Sequence, residues 1–472
     1  MSYRSRKKNY IDNSVEDEFS VEKKPRVFDK EEIATEVLVT LELENISERE
    51  AIKKIMRKHE IEDWRIRGSA HRLTLETLRK LNVIDKIIKK NLKDRNSFAK
   101  LDPFLRNLLR VTVFQMKFSD KAPELITNQA LEIYKRRKKS QKQVNFLNAI
   151  LRQIEKKQIE QYFKGNDYIE NLSLQHFQPS WLIKYMLKYY DKAFTEEFIK
   201  QRIPPYFIRI NTIKISINKA LEKLEEENFE FEEVKGIPEC IKITNSFKPV
   251  TRSLLYLKGM IYIQSKSSMI VSKILEPKKG EVIADLCASP GSKTTHIAQL
   301  MENEGSIIAI ERNINRIPEL HKNINKLGIK IVQIINADSF LFNNFIRIEF
   351  DKILIDPPCS GTGTFDSRPI TKWKFTPRDI SRNIHVQEQI LMNGSKKVKV
   401  GGILVYSTCS ILIEENERVI QKFLDHNQNY KILNIKKDHG MEGLENFSQA
   451  LRLYPHVDDS EGFFVAKLKR IT

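Results

Sequence analysis

The chain has 472 residues and a formal charge of +19, and at roughly 100 to 200 residues per domain it is too long for one ordinary core. Hydrophobic residues make up 40% and charged residues 30%, a balance that argues against both a membrane protein and a wholly disordered chain. A pI near 9.5 concentrates polyanions at the surface, nucleic acid first among them, although lysine-rich surfaces also serve solubility alone.

Only four cysteines occur, Cys240, Cys287, Cys359 and Cys409, with no CxxC pair and no nearby histidine cluster. That excludes a zinc ribbon or a disulfide framework, so no metal is expected and a reducing cytoplasm is the natural setting. The N-terminus has no apolar targeting core, and no run approaches the roughly 18 apolar residues of a membrane span. A monomer with no membrane contact is expected.

Residues 1–28 are polar and mixed in charge, the composition of a disordered tail. Residues 29–160 repeat apolar positions at three- and four-residue spacing through IATEVLVTLELE, PFLRNLLRVTVFQMKF and VNFLNAILRQI, which predicts an all-helical domain. Within it KRRKK, Lys135 to Lys139, reads equally as a phosphate grip or as the solvated end of a helix. Residues 161–252 mix short helices with strands, a small α+β connector in which Pro204-Pro205 precedes FIRINTI. Arg209 and Asn211 on that strand either touch RNA or hold neighbouring loops. Residues 253–472 alternate strands (VIADL, SIIAIE, IVQIINA, DKILID, GGILVYST, GFFVAKLK) with helices, which predicts an α/β fold with a mostly parallel, doubly wound sheet.

The chemistry gathers at the carboxyl ends of those strands. In VIADLCASPGSKT a strand enters a small-residue loop and then a helix, a geometry that aims backbone amides at a ligand. Glu311 ends the next strand, where a carboxylate accepts ribose hydroxyls. Asp338 follows the third strand, where it either meets an adenine edge or caps a helix. The fourth strand ends in DKILIDPPCSGTG and the fifth in VYSTCS, bringing Asp356, Cys359 and Cys409 to one edge. Pyrimidine C5 attacks an electrophilic methyl group only after a nucleophile adds at C6, and a thiolate is such a nucleophile. A second polar group then helps remove the C5 proton; Cys359 is placed for that, and Asp356 for the amino and N3 edge of cytosine.

Together these motifs resemble the RNA 5-methylcytosine methyltransferase family, called Nop2/Sun or Fmu. Its usual DxCAAPGGKT stands here as DLCASPGSKT, its DAPCSGxG as DPPCSGTG, and its YSTCS unchanged. The resemblance implies a Rossmann-like domain using S-adenosyl-L-methionine, with Cys409 as nucleophile and Cys359 assisting product release. It places the cofactor on Cys287, Ala288, Ser289, Pro290, Gly291, Ser292, Lys293, Glu311, Asp338 and Asp356. Ser289 and Ser292 replace the usual Ala and second Gly, adding side chains where the methionine part would sit. The helical domain is similar to the NusB-like domain of the small-subunit ribosomal RNA member, and FIRINTIK to the RxNTLK strand of its connector, so ribosomal RNA is the expected partner. The rivals are a transfer RNA methylase, a DNA cytosine methylase, and a non-catalytic RNA-binding assembly factor on a methyltransferase scaffold.

Overall fold

The computed structural model describes residues 29–44, 46–137, 140–202 and 205–472. The tail expected at 1–28, two lysines of KRRKK and Pro204 lie outside them.

The first region is helical: α1 (Lys30–Leu43), α2 (Glu48–Lys58), α3 (Trp64–Arg79), α4 (Leu81–Lys90), α5 (Ser97–Lys100), α6 (Pro103–Phe118), α7 (Pro123–Lys135) and α8 (Gln141–Glu155). Local chemistry fixes the starts. Ser47 and Ser140 form capping boxes with Glu50 and Gln143, and Asp102 accepts from Leu105 N with Pro103 in the first turn. α6 is the axis, its Leu105, Leu108, Leu109, Val111 and Val113 buried among α1, α3, α4, α7 and α8. α8 buries Val144, Leu147, Ile150, Leu151 and Ile154, the core helix its spacing predicts. Of the basic run, Arg136 pairs with Asp29 and Arg137 with Glu36, Arg137 also stacking 3.9 Å from the Phe104 centroid. These two guanidiniums hold the helical core together.

α9 (Tyr168–Gln175), α10 (Ser180–Tyr189) and α11 (Lys192–Ile199) pack onto Phe365, Ile411 and Tyr454. A four-stranded antiparallel sheet follows, built of β1 (Tyr206–Ile210), β2 (Phe229–Glu233), β3 (Cys240–Ser246) and β4 (Ile261–Ile263) in the order β2-β3-β1-β4. α12 (Ile217–Glu226) and α13 (Leu254–Leu257) flank it. Because β4 pairs with β1, this small sheet reaches Ile263.

The rest is a mostly parallel Rossmann-like sheet: β5 (Val282–Asp285), β6 (Ser306–Glu311), β7 (Val332–Asn336), β8 (Phe350–Ile355), β9 (Val398–Thr408), β10 (Tyr430–Leu433), β11 (Met441–Glu442), β12 (Leu451–Leu453) and β13 (Phe463–Arg470). Five strands run parallel in the order β7-β6-β5-β8-β9, β13 is antiparallel beside β9, and β10 and β12 pair with β13. Successive strand residues feed opposite layers. Ile283, Leu354 and Val405 pack with α14 (Lys266–Ile274), α15 (Ser292–Leu300) and α16 (Ile317–Leu327), while Ala284, Ile353, Ile355 and Leu404 face the other layer. After the short α17 (Phe342–Phe345) and α18 (Pro369–Lys374), that layer is closed by α19 (Ile380–Ser395) and α20 (Glu417–His426). The strand order reverses between β5 and β8, which opens a crevice at their carboxyl ends. Among the described residues no helix is long and apolar enough to cross a membrane.

Candidate active site

Asp285 ends β5 fully buried; Thr294 Oγ1 donates to its Oδ2 (2.7 Å), and burial pushes its carboxyl up to about 6. It ties the strand to α15 and so fixes the loop between them. Gly291 takes a left-handed conformation (φ +98) that favours glycine. α15 has no side-chain N-cap, which leaves its first amides free for a ligand. Ser289 is engaged elsewhere: its hydroxyl donates to Arg316 O at 3.1 Å. Arg209 and Asn211 are buried and hold loops. Arg209 donates to Ser292 O (2.9 Å) and Thr295 Oγ1 (3.0 Å), bracing the first turn of α15, and Asn211 donates to Gly259 O and Leu327 O.

Glu311 ends β6 at the same edge, its carboxylate accepting from Asn313 N (2.7 Å) and facing Arg316 at 3.4 Å. Asp338 caps the short helix after β7 by accepting from Phe340 N (3.0 Å), and Arg312 lies 3.6 Å from its carboxylate. Asp338 is thus the helix cap that one alternative describes, with its second oxygen turned to Arg312.

At the centre, Asp356 follows β8 and receives two donors: Lys293 Nζ at 2.6 Å and Ser407 Oγ at 2.9 Å. Burial would lower the lysine's pKa, yet the Asp356 carboxylate overrides this and raises it. Lys293 thus joins the cofactor loop to the acid at the reacting edge. Cys359 and Cys409 are free thiols with sulfurs 3.2 Å apart. The hydrogen bond from Cys359 lowers the Cys409 pKa, aided by the Arg368 charge against loss of hydration, while the same contact and burial hold the Cys359 thiol well above its ordinary value. Gly363 and Gly462 keep this edge closed. Gly363 N donates to Cys409 O and Gly462 N to Gly363 O, an approach so tight that a Cβ on Gly363 would stand 2.2 Å from Gly462 O.

Family comparisons agree with this geometry. The 16S rRNA methyltransferase RsmB/F description matches residues 272–469, the NusB family 29–156, and the RsmF/B-like ferredoxin-like domain 178–251. The probable ribosomal RNA small subunit methyltransferase B of Synechocystis is 30% identical over 93% of this chain and 100% of the relative. The chain belongs to the RsmB/F methyltransferase family. The Bacillus subtilis protein of the same name is 29% identical over 93% of this chain and 98% of its own. The solved structure of NSun6 from Pyrococcus horikoshii with SFG, an S-adenosylmethionine analogue, matches with TM-score 0.58 and 25% identity over 62% of this chain and 98% of that one. Further relatives are named as cytosine-C5 methyltransferases of large-subunit ribosomal RNA and of transfer RNA.

As an RsmB/F protein this chain is an S-adenosylmethionine-dependent RNA cytosine-C5 methyltransferase. The edge has groups that fit the cofactor: an uncapped helix start suits a carboxylate and the Glu311 carboxylate a ribose diol. Sequence reasoning missed several residues here. Ser407 shares Asp356 with Lys293, the exposed Arg368 lends charge to Cys409, and Glu415 holds the loop after Cys359. Its only signal was an acid inside the apolar run ILIEEN. It also missed the helical region's grip on α18, where Ile370 N donates to Glu48 (2.9 Å), Trp373 Nε1 to Leu78 O (2.5 Å), and Arg79 to Asp366 O (2.9 Å).

Proposed function

We propose that this enzyme methylates C5 of cytosine in small-subunit ribosomal RNA through a covalent adduct between Cys409 and C6 of the base. The observation that carries the reading is the pair of thiols 3.2 Å apart beside Asp356. The Cys409 thiolate forms the S–C6 bond, and the displaced electron pair makes C5 nucleophilic. S-adenosylmethionine, when bound on residues 287–293, Glu311 and Asp338, supplies the electrophilic methyl group. Asp356, held by Lys293 and Ser407, hydrogen-bonds the amino and N3 edge of the base while the ring accepts electrons.

Once Cys409 is bonded to carbon it no longer accepts the hydrogen bond from Cys359. Cys359 gives its proton to solvent and, as thiolate, takes the C5 proton. The electrons of that C–H bond restore the C5–C6 double bond and expel the Cys409 thiolate. The pair ends with the one proton it began with, and one proton has gone to solvent. A base stacked in RNA must first be flipped out. The helical region and the small sheet are assigned to RNA binding, in a monomer working in the cytoplasm.

The test is transfer of labelled methyl groups to small-subunit ribosomal RNA and to bulk transfer RNA, with modified positions mapped by bisulfite sequencing. Cytosine labelling confined to ribosomal RNA and lost in Cys409→Ala is the expected result. Labelling of transfer RNA alone replaces the substrate, and labelling that persists in Cys409→Ala overturns the adduct.

A further inference from the structure

The two thiols stand on different strands, so their 3.2 Å separation needs a cause. The side chains that anchor the two strand ends act on the residues beside the cysteines. Ser360 follows Cys359, and its amide N (2.9 Å) and hydroxyl (2.5 Å) both donate to the Glu415 carboxylate. Gln387 donates to Glu415 (3.2 Å) and to Pro358 O (3.0 Å), so both flanks of Cys359 hang on the same acid. Asn383 adds a further donor at 3.0 Å. On the other strand Thr408 Oγ1 donates to Asn416 Oδ1 (2.5 Å), and Asn416 Nδ2 to Ser410 O (2.9 Å), so both flanks of Cys409 hang on the next residue. Ser360 Oγ and Ser410 Oγ, 3.0 Å apart, join the halves.

Glu415 and Asn416 are both fully buried, and among the described residues Glu415 has no ion-pair partner. N–H groups of Ser360, Asn383 and Gln387 and the Ser360 hydroxyl converge on its carboxylate. An uncompensated buried carboxylate is costly to stability. A glutamine keeps only one of the two acceptor oxygens, so part of this donor set would lose its partner.

We infer that Glu415 and Asn416 form a clamp that sets the placement of the two thiols and, through it, makes Cys409 rather than its neighbour the nucleophile. They are positioning residues, acting through Ser360, Thr408 and Ser410. The inference rests on the proposed role of Cys409 and adds what selects it over its neighbour. The Glu415 charge is also among the causes that raise the Cys359 pKa, after the Cys409 contact and burial.

The experiment compares wild type with Glu415→Gln, Glu415→Asp, Asn416→Ala and Ser360→Ala. Three quantities are read: alkylation of each cysteine by iodoacetamide against pH, located by peptide mass; kcat and KM for RNA; and cofactor affinity as a check of folding. In wild type, alkylation falls on Cys409. In Glu415→Gln it spreads to Cys359, the Cys409 profile moves, and kcat falls roughly 10²-fold at unchanged KM, with Glu415→Asp regaining part of both. Asn416→Ala and Ser360→Ala shift the same selectivity by less, and they carry the test if Glu415→Gln does not fold. Folded variants that keep wild-type thiol selectivity and pH profile overturn the clamp, because a purely structural loss lowers the active fraction without moving either. Turnover that survives Cys409→Ala removes the nucleophile assignment instead, and the alkylation pattern still reports on the clamp by itself.

Discussion

Two ion pairs of the Rossmann-like region are built differently. Arg452 and Glu417, 1% and 0% exposed, meet through two nitrogens and two oxygens. Arg452 also reaches Ile411 O (2.9 Å) and Tyr190 OH (3.1 Å), and Leu444 N donates to Glu417 (2.8 Å), so both partners are heavily engaged. Lys293 and Asp356 meet through one contact, and Asp356 remains 27% exposed with Ser407, among the described residues, as its only other donor. A saturated pair has nothing left to offer a substrate and serves to lock the loop after Cys409. An unsaturated pair that opens on a crevice keeps charge in reserve for a ligand. Accessibility and spare hydrogen-bonding capacity, rather than burial itself, separate structural charge from chemical charge.

The sharpest way to break this contrast is at the thiols beside the open pair. Cys409→Ala is expected to abolish turnover, whereas Cys359→Ala is expected to accumulate a protein–RNA adduct visible as a denaturation-resistant band, each with cofactor affinity and melting temperature near wild type. Equal loss with no adduct in either variant would undo the division of labour. Next in size, Asp356→Asn keeps the volume but removes the charge that Lys293 answers; kcat in single-turnover methyl transfer should fall roughly 10² to 10⁴-fold with little change in stability. The closed pair should respond in the opposite way. Glu417→Gln strands a buried guanidinium and should cost about 3 to 5 kcal/mol of unfolding free energy, read by denaturant titration, while kcat per folded molecule changes little.

The open pair was half legible in the sequence. Asp356, Cys359 and Cys409 sit in short motifs at strand ends, where local pattern and chemistry coincide, and the alternation of elements was enough to predict the parallel sheet. Glu311 was legible for the same reason. The closed pair left no trace, because Arg452 and Glu417 are 35 residues apart in the sequence and only the antiparallel return of β12 and β13 brings them together. Arg209 shows the converse. As a cation on a strand near a basic region it read equally as an RNA contact, and only its complete burial against Ser292 and Thr295 decides for a loop brace. Lys293 was assigned to the cofactor loop by position, but its reach to Asp356 depends on two strands lying side by side, which spacing alone cannot give.

The smallest effect concerns Arg368, which is exposed and contributes charge rather than contact. The Cys409 pKa is lowered first by the hydrogen bond from Cys359 and then by this guanidinium, against burial and the Asp356 and Glu461 carboxylates. The thiolate is the reactive form, so the rate is gained as pH rises through the Cys409 pKa, and a lowered pKa brings that rising limb to lower pH than for an unperturbed thiol. Arg368→Gln removes one lowering influence, so the limb should move to higher pH by a fraction of a unit, more at low ionic strength than at high because an exposed charge is screened by salt. The plateau rate at high pH should be unchanged, since the thiolate once formed is the same. A shift that is insensitive to salt, or a lowered plateau with no shift, would mean that Arg368 touches the RNA itself instead of tuning the thiol from a distance.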